Sequence, residues 1–372
     1  MPAFTPHQDN ALKFVANWLK AGPGRDGTPQ VFRLFGYAGT GKTTLARHIA
    51  DHTDGEVKFA AFTGKAASVM RGKGCRGAST IHSLIYRARE SGEEIPSFDL
   101  WDEAPASKAE LIIIDECSMV DAELGRDLLS FGAPVLVLGD PAQLPPIQGG
   151  GFFTEAEPDA MLTEVHRQAQ DDPIVRLSMD VRAGEYIEPG RYGETNVLRK
   201  ADLDPQRVLE ADQVLVGRNV TRRSYNKRMR ERRGFEDDMP SAGDKLVCLR
   251  NNRKKGLFNG GLWTVKDRGG RKGAKAGIMT MHLLPDDDTA TRGVKVSVRP
   301  ECFTGGIEHV DWQRRKPYDE FDYGYVLTVH KAQGSQWDDV VLFDESFAFP
   351  ESRERWLYTG ITRAAKKLTV VV

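Results

Sequence analysis

The segment with the most specific chemistry is GYAGTGKT, residues 36–43, which follows an apolar run and precedes a stretch of helical periodicity. Its spacing is that of a phosphate-binding loop, in which glycines let backbone N–H groups close on phosphate oxygens at the positive end of a helix. Lys42 is expected to reach the β- and γ-phosphates, and Thr43 to ligate Mg²⁺. The loop residues expected to bind the nucleotide are Gly39, Thr40, Gly41, Lys42, Thr43 and Thr44.

Two adjacent acids, Asp115 and Glu116, follow the apolar run LIII. Taken alone, they are better explained as solvated acids at the end of a strand. Beside a phosphate-binding loop, Asp115 is instead expected to hold Mg²⁺ through water, and Glu116 to orient or deprotonate the attacking water. An acid next to the metal ligand favours hydrolysis of the nucleotide over phosphoryl transfer to a small molecule.

Three residues farther along the chain could sense the γ-phosphate. Gln143 is a neutral amide in LGDPAQLPPI, while Arg167 and Arg363 lie in LTEVHRQ and LYTGITRAAKK. Arginines remote from the loop in sequence can stabilise the charge of the transition state. A turn built by Asp140 and Pro141 would explain those two residues but gives Gln143 no role. A lone arginine is usually a surface residue, so Arg363 gains weight only from its motif.

Four apolar runs, VFRLFGY, VKFAAFTG, AELIIIDE and APVLVLGD, alternate with segments of helical periodicity. This alternation predicts a doubly wound α/β layer, in which ligands bind at the carboxyl ends of parallel strands. Residues 88–110 interrupt the pattern with an acidic stretch that contains two prolines, and we interpret them as an insertion. A second α/β set is predicted to begin near QVLVGRNV and to resume at YGYVLTVH and KKLTVVV.

The composition shifts again in residues 243–321, where glycines and turn signals separate the β-prone runs KLVCLRN, LWTVKD, IMTMHLL and VKVSVRP. These runs predict a small antiparallel β-module inserted into the second α/β set. The chain has 372 residues, of which 40% are hydrophobic, so two or three domains are expected.

The bulk composition narrows the class of protein. The net charge of -1 does not exclude nucleic acid as a partner, because local clusters of charge matter more than the sum. Four widely spaced cysteines without a C-x-x-C pair argue against zinc and against a disulfide framework. No apolar run approaches the roughly 20 residues needed to cross a bilayer. We expect a soluble protein of the bacterial or infected-host cytoplasm, without a membrane partner.

In their order along the chain, these motifs resemble those of superfamily-1 DNA helicases, in the RecD/Dda-like branch that moves 5′-to-3′. The matching segments are FTPHQDNAL, GYAGTGKTT, FTGKAA, STIHSL, IIIDECSM, LGDPAQLPPI, LTEVHRQ, LTVHKAQGSQWDDVVL and LYTGITRAAKKL. They cover nearly the whole chain, and the last two are the most specific. The resemblance implies ATP and Mg²⁺ as cofactors, and it implies that Gln8, in the first segment, reads the edge of the adenine.

The resemblance also implies an α/β fold with two RecA-like motor domains that close on ATP. We expect the first domain to span residues 1–168 and the second to comprise residues 169–242 and 322–372. The insertion at residues 88–110 would be a strand-separating pin in the first domain. Residues 243–321 would form a small Src-homology-type β-barrel inserted in the second.

By motif position, the resemblance implies a DNA track on the face away from ATP. Short hydroxyl and amide groups suit this task, because they bind phosphates weakly enough to release them at each step. His330 could instead be a packed histidine at a strand end. The expected backbone contacts are Thr63, Lys65, His82 and Ser83 from the first domain, and Thr328, His330 and Ser335 from the second.

Two further groups of residues could reach DNA. Phe98 and Trp101, in the insertion, could stack on the last base pair of a duplex, although packing of the insertion explains them equally well. The basic run RNVTRRSYNKRMRERRG has helical spacing, and such runs usually form a solvated helix face. If it contacts DNA, Asn219 and Arg222 at its start are the expected residues.

The sequence therefore predicts an ATP-dependent DNA helicase that moves on single-stranded DNA, acts at junctions of single and double strands, and works as a monomer. The alternative is a nucleic-acid-binding ATP switch, or an ATPase stimulated by single-stranded DNA that does not unwind duplexes robustly, since such proteins share these motifs. A kinase of small molecules is disfavoured by Glu116 and by the second motor-like half of the chain.

Overall fold

The computed structural model describes residues 4–88, 98–145, 151–164, 171–252, 255–257, 259–269, 277–286 and 293–372. Its described strands form two six-stranded sheets, one five-stranded sheet and a two-stranded ribbon. Two residues expected at a functional site, Arg167 and the side chain of Phe98, lie outside the described residues.

The first sheet and its helices make up the first unit of the molecule. Its elements are α1 (Pro6–Lys20), β1 (Val31–Gly36), α2 (Lys42–Asp51), β2 (Val57–Ala61), α3 (Gly64–Gly72), β3 (Ser79–Thr80), α4 (Ile81–Ile85), β4 (Tyr86–Ala88), β5 (Phe98–Leu100), β6 (Leu111–Asp115), α5 (Ala122–Leu129), β7 (Val135–Gly139) and β8 (Ala160–Leu162).

The first sheet has the strand order β3–β2–β6–β7–β1–β8, and every pair in it is parallel. Helices pack on both of its faces, each over its own hydrophobic cluster. This double coverage explains why the central strands β6 and β7 are continuous apolar runs rather than alternating ones. The loop after β1 and the acids after β6 consequently meet at one edge, the carboxyl edge of the sheet.

Threonine side chains fix where three helices of the first unit begin. Thr5, Thr63 and Thr80 each accept a hydrogen bond from a backbone N–H in the first turn of α1, α3 and α4. Such caps satisfy N–H groups that the helix itself leaves without partners. In α1 the cap is a capping box, because the side chain of Gln8 also bonds the backbone of Thr5.

The insertion expected at residues 88–110 starts as a two-stranded ribbon. Strands β4 and β5 pair antiparallel directly after α4, with Tyr86 opposite Leu100. The chain then returns through a 3₁₀ turn at Pro105–Lys108 to β6. The ribbon therefore leaves and rejoins the first unit between adjacent elements and leaves the parallel sheet intact.

The remaining elements are the strands of the second sheet and of the five-stranded sheet, together with the helices that connect them. They are α6 (Pro173–Arg182), β9 (Gly190–Tyr192), β10 (Thr195–Leu198), α7 (Pro205–Glu210), β11 (Gln213–Val216), α8 (Asn219–Arg232), β12 (Lys245–Cys248), β13 (Leu262–Arg268), β14 (Met279–Pro285), β15 (Val294–Val298), α9 (Glu301–Thr304), α10 (Trp312–Arg315), β16 (Phe321–Tyr323), β17 (Val326–Thr328), β18 (Trp337–Phe343), α11 (Arg353–Ile361) and β19 (Ala364–Val371). Among the helices that the structure describes, none is both long and apolar enough to cross a membrane.

The second sheet, with its helices, makes up the second unit and has the order β17–β11–β18–β19–β10–β9. Its pairs are parallel except for β9 with β10. The prediction of two α/β layers in one chain is therefore confirmed. Strands β9 and β10 were not predicted, because GRY and TNVL are too short and too polar to stand out as apolar runs.

The five-stranded sheet, called the small sheet below, is antiparallel with the order β15–β14–β13–β12–β16. Strands β12 to β15 correspond to the four β-prone runs of residues 243–321. Its two edges meet, because the N–H of Asp319, just before β16, donates to the carbonyl of Ser297 in β15 at 2.8 Å. Residues of the small sheet and of the second sheet share one hydrophobic cluster, so the two sheets pack as one body.

Candidate functional site

A cavity of about 660 Å³ lies between the two units. The first unit lines it with the loop after β1, the start of α2 and the residues that follow β6 and β7. The second unit lines it with the segment between β17 and β18 and with the residues that follow α11. Polar side chains in the lining include Lys42, Thr43, Asp115, Glu116, Gln143, Ser335 and Arg363.

The glycines of the loop after β1 are required by its geometry. Gly39 and Gly41 have φ values of 77° and 82°, in the left-handed region that favours glycine. Gly36 has no room for a side chain, since a Cβ there would lie 2.7 Å from Thr40 Oγ1 and 2.8 Å from Leu162 Cβ. The loop can therefore wrap closely enough for its backbone to contact a phosphate.

The ammonium group of Lys42 lies inside this loop. Its Nζ donates to the carbonyl oxygens of Gly36 at 2.6 Å and of Tyr37 at 3.1 Å. Both partners are neutral, so an anionic phosphate oxygen would form a stronger, charge-assisted bond with the same group.

Gln8 braces the loop from the side of α1. Its Nε2 donates to the carbonyl of Thr40 at 3.0 Å, and its Oε1 accepts from the N–H of Thr5 at 3.0 Å. A Cβ at Gly41 would lie 2.7 Å from Nε2, so the amide is packed against the loop. We expected Gln8 to read the adenine. The structure shows a bracing contact, which leaves one hydrogen of Nε2 and one lone pair of Oε1 for a ligand, so adenine recognition by Gln8 stays a prediction.

Thr43 and Asp115 meet at the base of the cavity, where Thr43 Oγ1 donates to Asp115 Oδ2 at 3.3 Å. Burial, reinforced by the neighbouring Glu116 carboxylate, raises the pKa of Asp115. A bound cation would offset both effects. A hydroxyl and a carboxylate oxygen are hard ligands of the kind that Mg²⁺ takes in nucleotide sites, so this pair fits a magnesium ion.

Glu116 has a strained backbone. Its φ of 53° lies in the left-handed region, which only one other non-glycine residue, Asp26, adopts among the described residues. Such strain costs energy, persists only where the surroundings impose it, and clusters at active sites. The side chain lines the cavity next to Asp115, where a carboxylate could orient water towards a bound phosphate.

Arg363 enters the cavity from the second unit and is buried. Its guanidinium donates to neutral oxygens, namely the carbonyls of Thr359 at 3.1 Å and Ser335 at 3.2 Å, and Thr362 Oγ1 at 3.3 Å. Within the described part of the chain, no carboxylate forms an ion pair with it. A buried cation with only neutral partners is suited to an anionic ligand.

Gln143 lies opposite, in the first unit, and is also buried. Its Oε1 has no hydrogen-bond partner among the described residues. Buried polar atoms normally have partners, so this acceptor suits a ligand or a water. The cavity thus brings together Lys42, Glu116, Gln143 and Arg363, while Arg167 lies outside the described residues.

Tyr358, which the sequence analysis did not single out, joins the two units at the rim of the cavity. Its hydroxyl accepts from the N–H of Ala38 in the loop at 2.8 Å and donates to Asp140 Oδ2 at 2.7 Å. Burial raises the pKa of Asp140 and also that of Tyr358. Both residues lie within recognised motifs, but neither motif indicates that the two side chains meet.

A second pair of hydrogen bonds crosses between the units at Leu144. Its N–H donates to Thr359 Oγ1 at 2.9 Å, and its carbonyl accepts from Gln333 Nε2 at 2.9 Å. Farther out, the Arg182 guanidinium lies 3.5 Å from the ring centroid of Tyr37. The second unit therefore contacts the loop after β1 and the segment after β7 through separate elements.

The expected DNA contacts of the first unit lie near the starts of α3 and α4. Thr63 Oγ1 caps α3, and Lys65 is half-buried in the first turn of that helix. Ser83 Oγ lies 2.6 Å from Oγ1 of the cap residue Thr80, and His82 is half-buried beside it. The structure places all four expected residues on adjoining turns at the carboxyl edge of the first sheet.

In the second unit, Thr328 and His330 lie together at the end of β17. Thr328 is buried, and its Oγ1 accepts from the N–H of Lys331 at 3.3 Å. The ring of His330 is half-buried, with its centroid 5.2 Å from that of Phe349. Burial lowers the pKa of His330. A packed and a DNA-facing side chain are both compatible with this position.

Ser335 was expected to contact DNA, and the structure corrects this. The residue is buried, lines the cavity between the units, and its carbonyl accepts from Arg363. The preceding Gly334 packs on the start of α3, since a Cβ there would lie 3.0 Å from Ala66 Cβ. Ser335 is therefore part of the lining that faces the nucleotide loop.

Arg222 was also expected to reach DNA, but it is buried. Its Nη1 donates to Asp322 Oδ2 at 2.6 Å, and its Nε donates to Asn219 Oδ1 at 3.2 Å. The ion pair ties α8 to β16 and leaves the guanidinium inaccessible to a phosphate. Asn219 itself is exposed at the start of α8.

Trp101 lies at the base of the ribbon, where its N–H donates to the carbonyl of Ile85 at 3.1 Å. The Arg87 guanidinium lies 6.0 Å from its ring, and the side chain is half-buried. Packing of the insertion and stacking on a base therefore both stay open for Trp101.

Comparisons with known proteins agree with this architecture. Residues 27–202 match the family model of an AAA domain, and residues 323–371 match that of the UvrD-like helicase C-terminal domain. The first match contains the loop after β1 and both acids, and the second contains Arg363. The two halves of the cavity thus match two different family models.

Two curated relatives are similar in sequence. The ATP-dependent RecD2 DNA helicase of Deinococcus radiodurans is 29% identical over 354 residues, which cover 89% of this chain and 45% of the relative. The ATP-dependent DNA helicase dda of Enterobacteria phage T4 is 34% identical over 197 residues, which cover 49% of this chain and 43% of the relative. The chain spans less than half the length of these two relatives.

A Pif1 helicase, from a structural study of unwinding at forked double-stranded DNA, shares the fold with a TM-score of 0.61 and 17% identity over 100% of this chain and 92% of that chain. The fold and the cavity define a two-unit P-loop protein that holds its nucleotide site between two α/β sheets. The resemblance to superfamily-1 helicases of the RecD/Dda-like branch, which the sequence motifs predicted, is therefore confirmed.

Proposed function

We propose that the chain is an ATP-dependent DNA helicase that translocates 5′-to-3′ on single-stranded DNA. The observation that carries this proposal is the cavity, in which Lys42 and Glu116 of one unit face Arg363 of the other. In this arrangement, groups of both units bind the γ-phosphate. Its hydrolysis removes that shared contact, so the units open and close with each turnover. Similarity to proteins named ATP-dependent DNA helicases supports the coupling of that motion to DNA.

The residues around the phosphates have separate roles in this proposal. Thr43 and Asp115 hold Mg²⁺, which when bound neutralises phosphate charge. Glu116 holds the attacking water and takes up its proton. Lys42 and the loop N–H groups bind the phosphate oxygens. The proposed nucleotide site also includes Gly39, Thr40 and Gly41 of the loop and Thr44 in the first turn of α2.

The second unit supplies charge stabilisation across the cavity. Arg363 donates to the γ-phosphate in exchange for its neutral partners, and Gln143 bonds the γ-phosphate or the water. We keep Arg167 as a second arginine of the transition state on the strength of its motif position.

We propose the domain boundaries that were expected from the sequence. The first RecA-like domain comprises residues 1–168, and the second comprises residues 169–242 and 322–372. Residues 243–321, which contain the small sheet except for the last two residues of β16, are proposed to be the Src-homology-type β-barrel of this branch. Its order β15–β14–β13–β12–β16 and the meeting of its two edges support this.

We propose that single-stranded DNA runs along the carboxyl edges of both sheets and passes the first sheet at its β2–β3 end, away from the loop after β1. The helix start at Thr63 offers N–H groups and positive potential to a phosphate. The proposed backbone contacts are Thr63, Lys65, His82, Ser83, Asn219, Thr328 and His330. A junction with duplex DNA would meet the ribbon β4–β5, which we propose as the strand-separating pin, with Phe98 as the candidate aromatic. We propose that the protein acts as a monomer, because both motor halves lie in one chain. We also propose that it acts in the cytoplasm.

The first test compares ATP hydrolysis with and without single-stranded DNA. We expect stimulation by DNA, and hydrolysis that DNA leaves unchanged would exclude a motor. The second test offers partial duplexes with only a 5′ or only a 3′ tail, and we expect only the former to be unwound. Unwinding from the 3′ tail would contradict the proposed direction, and stimulated hydrolysis without unwinding of either would favour a translocase or switch. Lys42→Ala serves as the inactive control.

A further inference from the structure

Phe347 is an exposed aromatic side chain at the carboxyl edge of the second sheet. It lies in the 3₁₀ turn Ser346–Ala348, just after β18, and 66% of its surface is exposed. Singly exposed apolar side chains are common on protein surfaces, so it is the surroundings of this ring that indicate what it can bind.

Glu345 fixes the turn from one side. This buried carboxylate accepts from the N–H groups of Gly217 at 2.8 Å and Arg218 at 2.9 Å, and from Thr221 Oγ1. Its Oε1 also accepts from Arg218 Nε at 3.0 Å and Nη2 at 2.8 Å. The turn after β18 is thereby bonded to the loop between β11 and α8.

Phe349 fixes the turn from the other side. Its ring stacks on that of buried Trp356 at 5.9 Å and lies 5.2 Å from the ring of His330. In addition, Arg353 Nε donates to Ser346 Oγ at 3.2 Å. Phe347 is therefore carried on a turn that is anchored at both ends, so its exposure is not the result of a loosely held segment.

A cation accompanies the exposed ring. The Arg218 guanidinium lies 5.4 Å from the ring centroid of Phe347, and 52% of the Arg218 side chain is exposed. Glu345 holds this guanidinium in place through Oε1, and these two bonds use two of its five N–H groups. An aromatic face beside a fixed, half-exposed arginine combines the two contacts that one nucleotide offers, its base and its phosphate.

The position of the ring relates it to the proposed track. The ends of β11, β17 and β18 lie side by side at the carboxyl edge of the second sheet, since β11 pairs with both neighbours. They carry Asn219, His330 and Phe347, respectively. A strand that touches Asn219 and His330 would therefore pass the ring.

We propose that Phe347 is a stacking platform for one base of single-stranded DNA, with Arg218 bonding the adjacent phosphate. This inference rests on the proposed function and deepens it, because it adds a base contact to a track otherwise made of contacts to the DNA backbone. Stacking tolerates any sequence, since every base has an aromatic face, so the platform does not impose a sequence preference.

The test measures the affinity of the full chain for a labelled oligothymidylate and for the same strand with abasic sites throughout. Both strands carry the same phosphates, so the difference in affinity reports base contacts alone. The variants are Phe347→Ala, which removes the platform, and Phe347→Tyr, which keeps it. Phe14→Ala is the matched control, because Phe14 is an exposed ring on α1, 54% accessible and remote from this edge.

We expect Phe347→Ala to weaken binding of the oligothymidylate by roughly fivefold or more, and to reduce the penalty for the abasic strand by the same factor. Phe347→Tyr and Phe14→Ala should bind as the wild type does. Equal affinity of wild type and Phe347→Ala, or an undiminished abasic penalty in Phe347→Ala, would overturn the inference alone. A wild type that binds neither strand would overturn the proposed function together with the inference.

Discussion

Two charged residues of the cavity, Asp115 and Arg363, are suited to ligands of opposite charge. Burial and the neighbouring Glu116 carboxylate raise the pKa of Asp115 despite the opposing effect of Lys42, so a bound cation would stabilise its charged form. Arg363 is buried among neutral oxygens, so it lacks an anion. Magnesium with a nucleoside triphosphate supplies both charges in one ligand. A nucleotide with its magnesium ion would therefore interact with Asp115 of the first unit and with Arg363 of the second at the same time. Binding of this ligand would thus depend on both units and not only on the phosphate-binding loop.

Lys42 and Glu116 have different proposed roles in hydrolysis, so their substitutions should have different effects. Glu116→Gln keeps the shape of the side chain but removes the base, so we expect turnover to fall by roughly 100-fold or more while ATP still binds. Lys42→Ala should abolish hydrolysis, because it removes a charge on the β- and γ-phosphates. Steady-state hydrolysis and titration with a fluorescent nucleotide separate the two effects. Normal turnover in Glu116→Gln would show that another group positions the water.

At the scale of elements, the start of α8 is notable because a protein carboxylate occupies it. Glu345, just after β18, accepts hydrogen bonds from the N–H groups of Gly217 and Arg218, as a phosphate would. Burial opposes ionisation of Glu345, but the hydrogen bonds from Thr221, Arg218 and Gly217 outweigh it, and the net result is a lowered pKa. The charge of this side chain therefore stabilises the junction of β11, β18 and α8.

The sign of that shift predicts how stability depends on pH. Because the pKa of Glu345 is lower in the folded chain, its contribution is complete above the ordinary glutamate pKa and is lost as the pH falls through the lowered value. Glu345→Gln should reduce the free energy of unfolding by about 1–3 kcal/mol at pH 7. This difference from wild type should shrink as the pH drops below about 4.

Urea denaturation at a series of pH values measures that difference. Glu351→Gln is the matched control, because Glu351 lies on the same segment and is exposed. A difference between wild type and Glu345→Gln that stays constant down to the lowest pH would show that the charge of Glu345 contributes nothing.

At the scale of the whole molecule, the two units are joined at Leu144 through both of its backbone groups. Thr359 accepts from its N–H, and Gln333 donates to its carbonyl. Gln333 belongs to the segment that also carries His330, on the proposed DNA track. The segment after β7 is thus connected to the track through one amide side chain.

Gln333→Ala tests whether this connection couples the two sites. We expect the stimulation of ATP hydrolysis by single-stranded DNA to fall about fivefold, because one buried hydrogen bond between the units is lost. The ratio of rates with and without saturating DNA is the measurement. Gln313→Ala, on an exposed residue of α10, should keep the wild-type ratio. An unchanged ratio in Gln333→Ala would place the coupling elsewhere.

The sequence predicted those parts of the fold that local patterns determine. Continuous apolar runs indicated the central strands of both sheets, and the loop at residues 36–43 indicated a nucleotide site, because glycine placement and helix starts are local properties. Short strands such as β9 and β10 escaped notice, since they gain their pairing from neighbours that lie far away in the sequence.

Roles that depend on pairing across the molecule were not predictable. Arg222 looked like a surface cation because its partner, Asp322, lies 100 residues away and no local pattern joins them. Ser335 looked like a DNA contact because motif position does not show which side of a loop faces which ligand. Tyr358 lies in a recognised motif, but the motif did not show its role, since its two hydrogen bonds go to residues of the other unit.

Gly324 has a consequence for how motion could be observed. Only this glycine and Tyr325 separate β16 of the small sheet from β17, and a Cβ at Gly324 would lie 2.8 Å from the backbone of Leu246. Such a tight junction leaves no room for a hinge, so in the proposed cycle the small sheet would move together with the second unit. A fluorophore at Leu284, which is exposed on β14, would sweep a larger arc than one beside the cavity. Its distance to a dye on the first unit would therefore magnify each stroke.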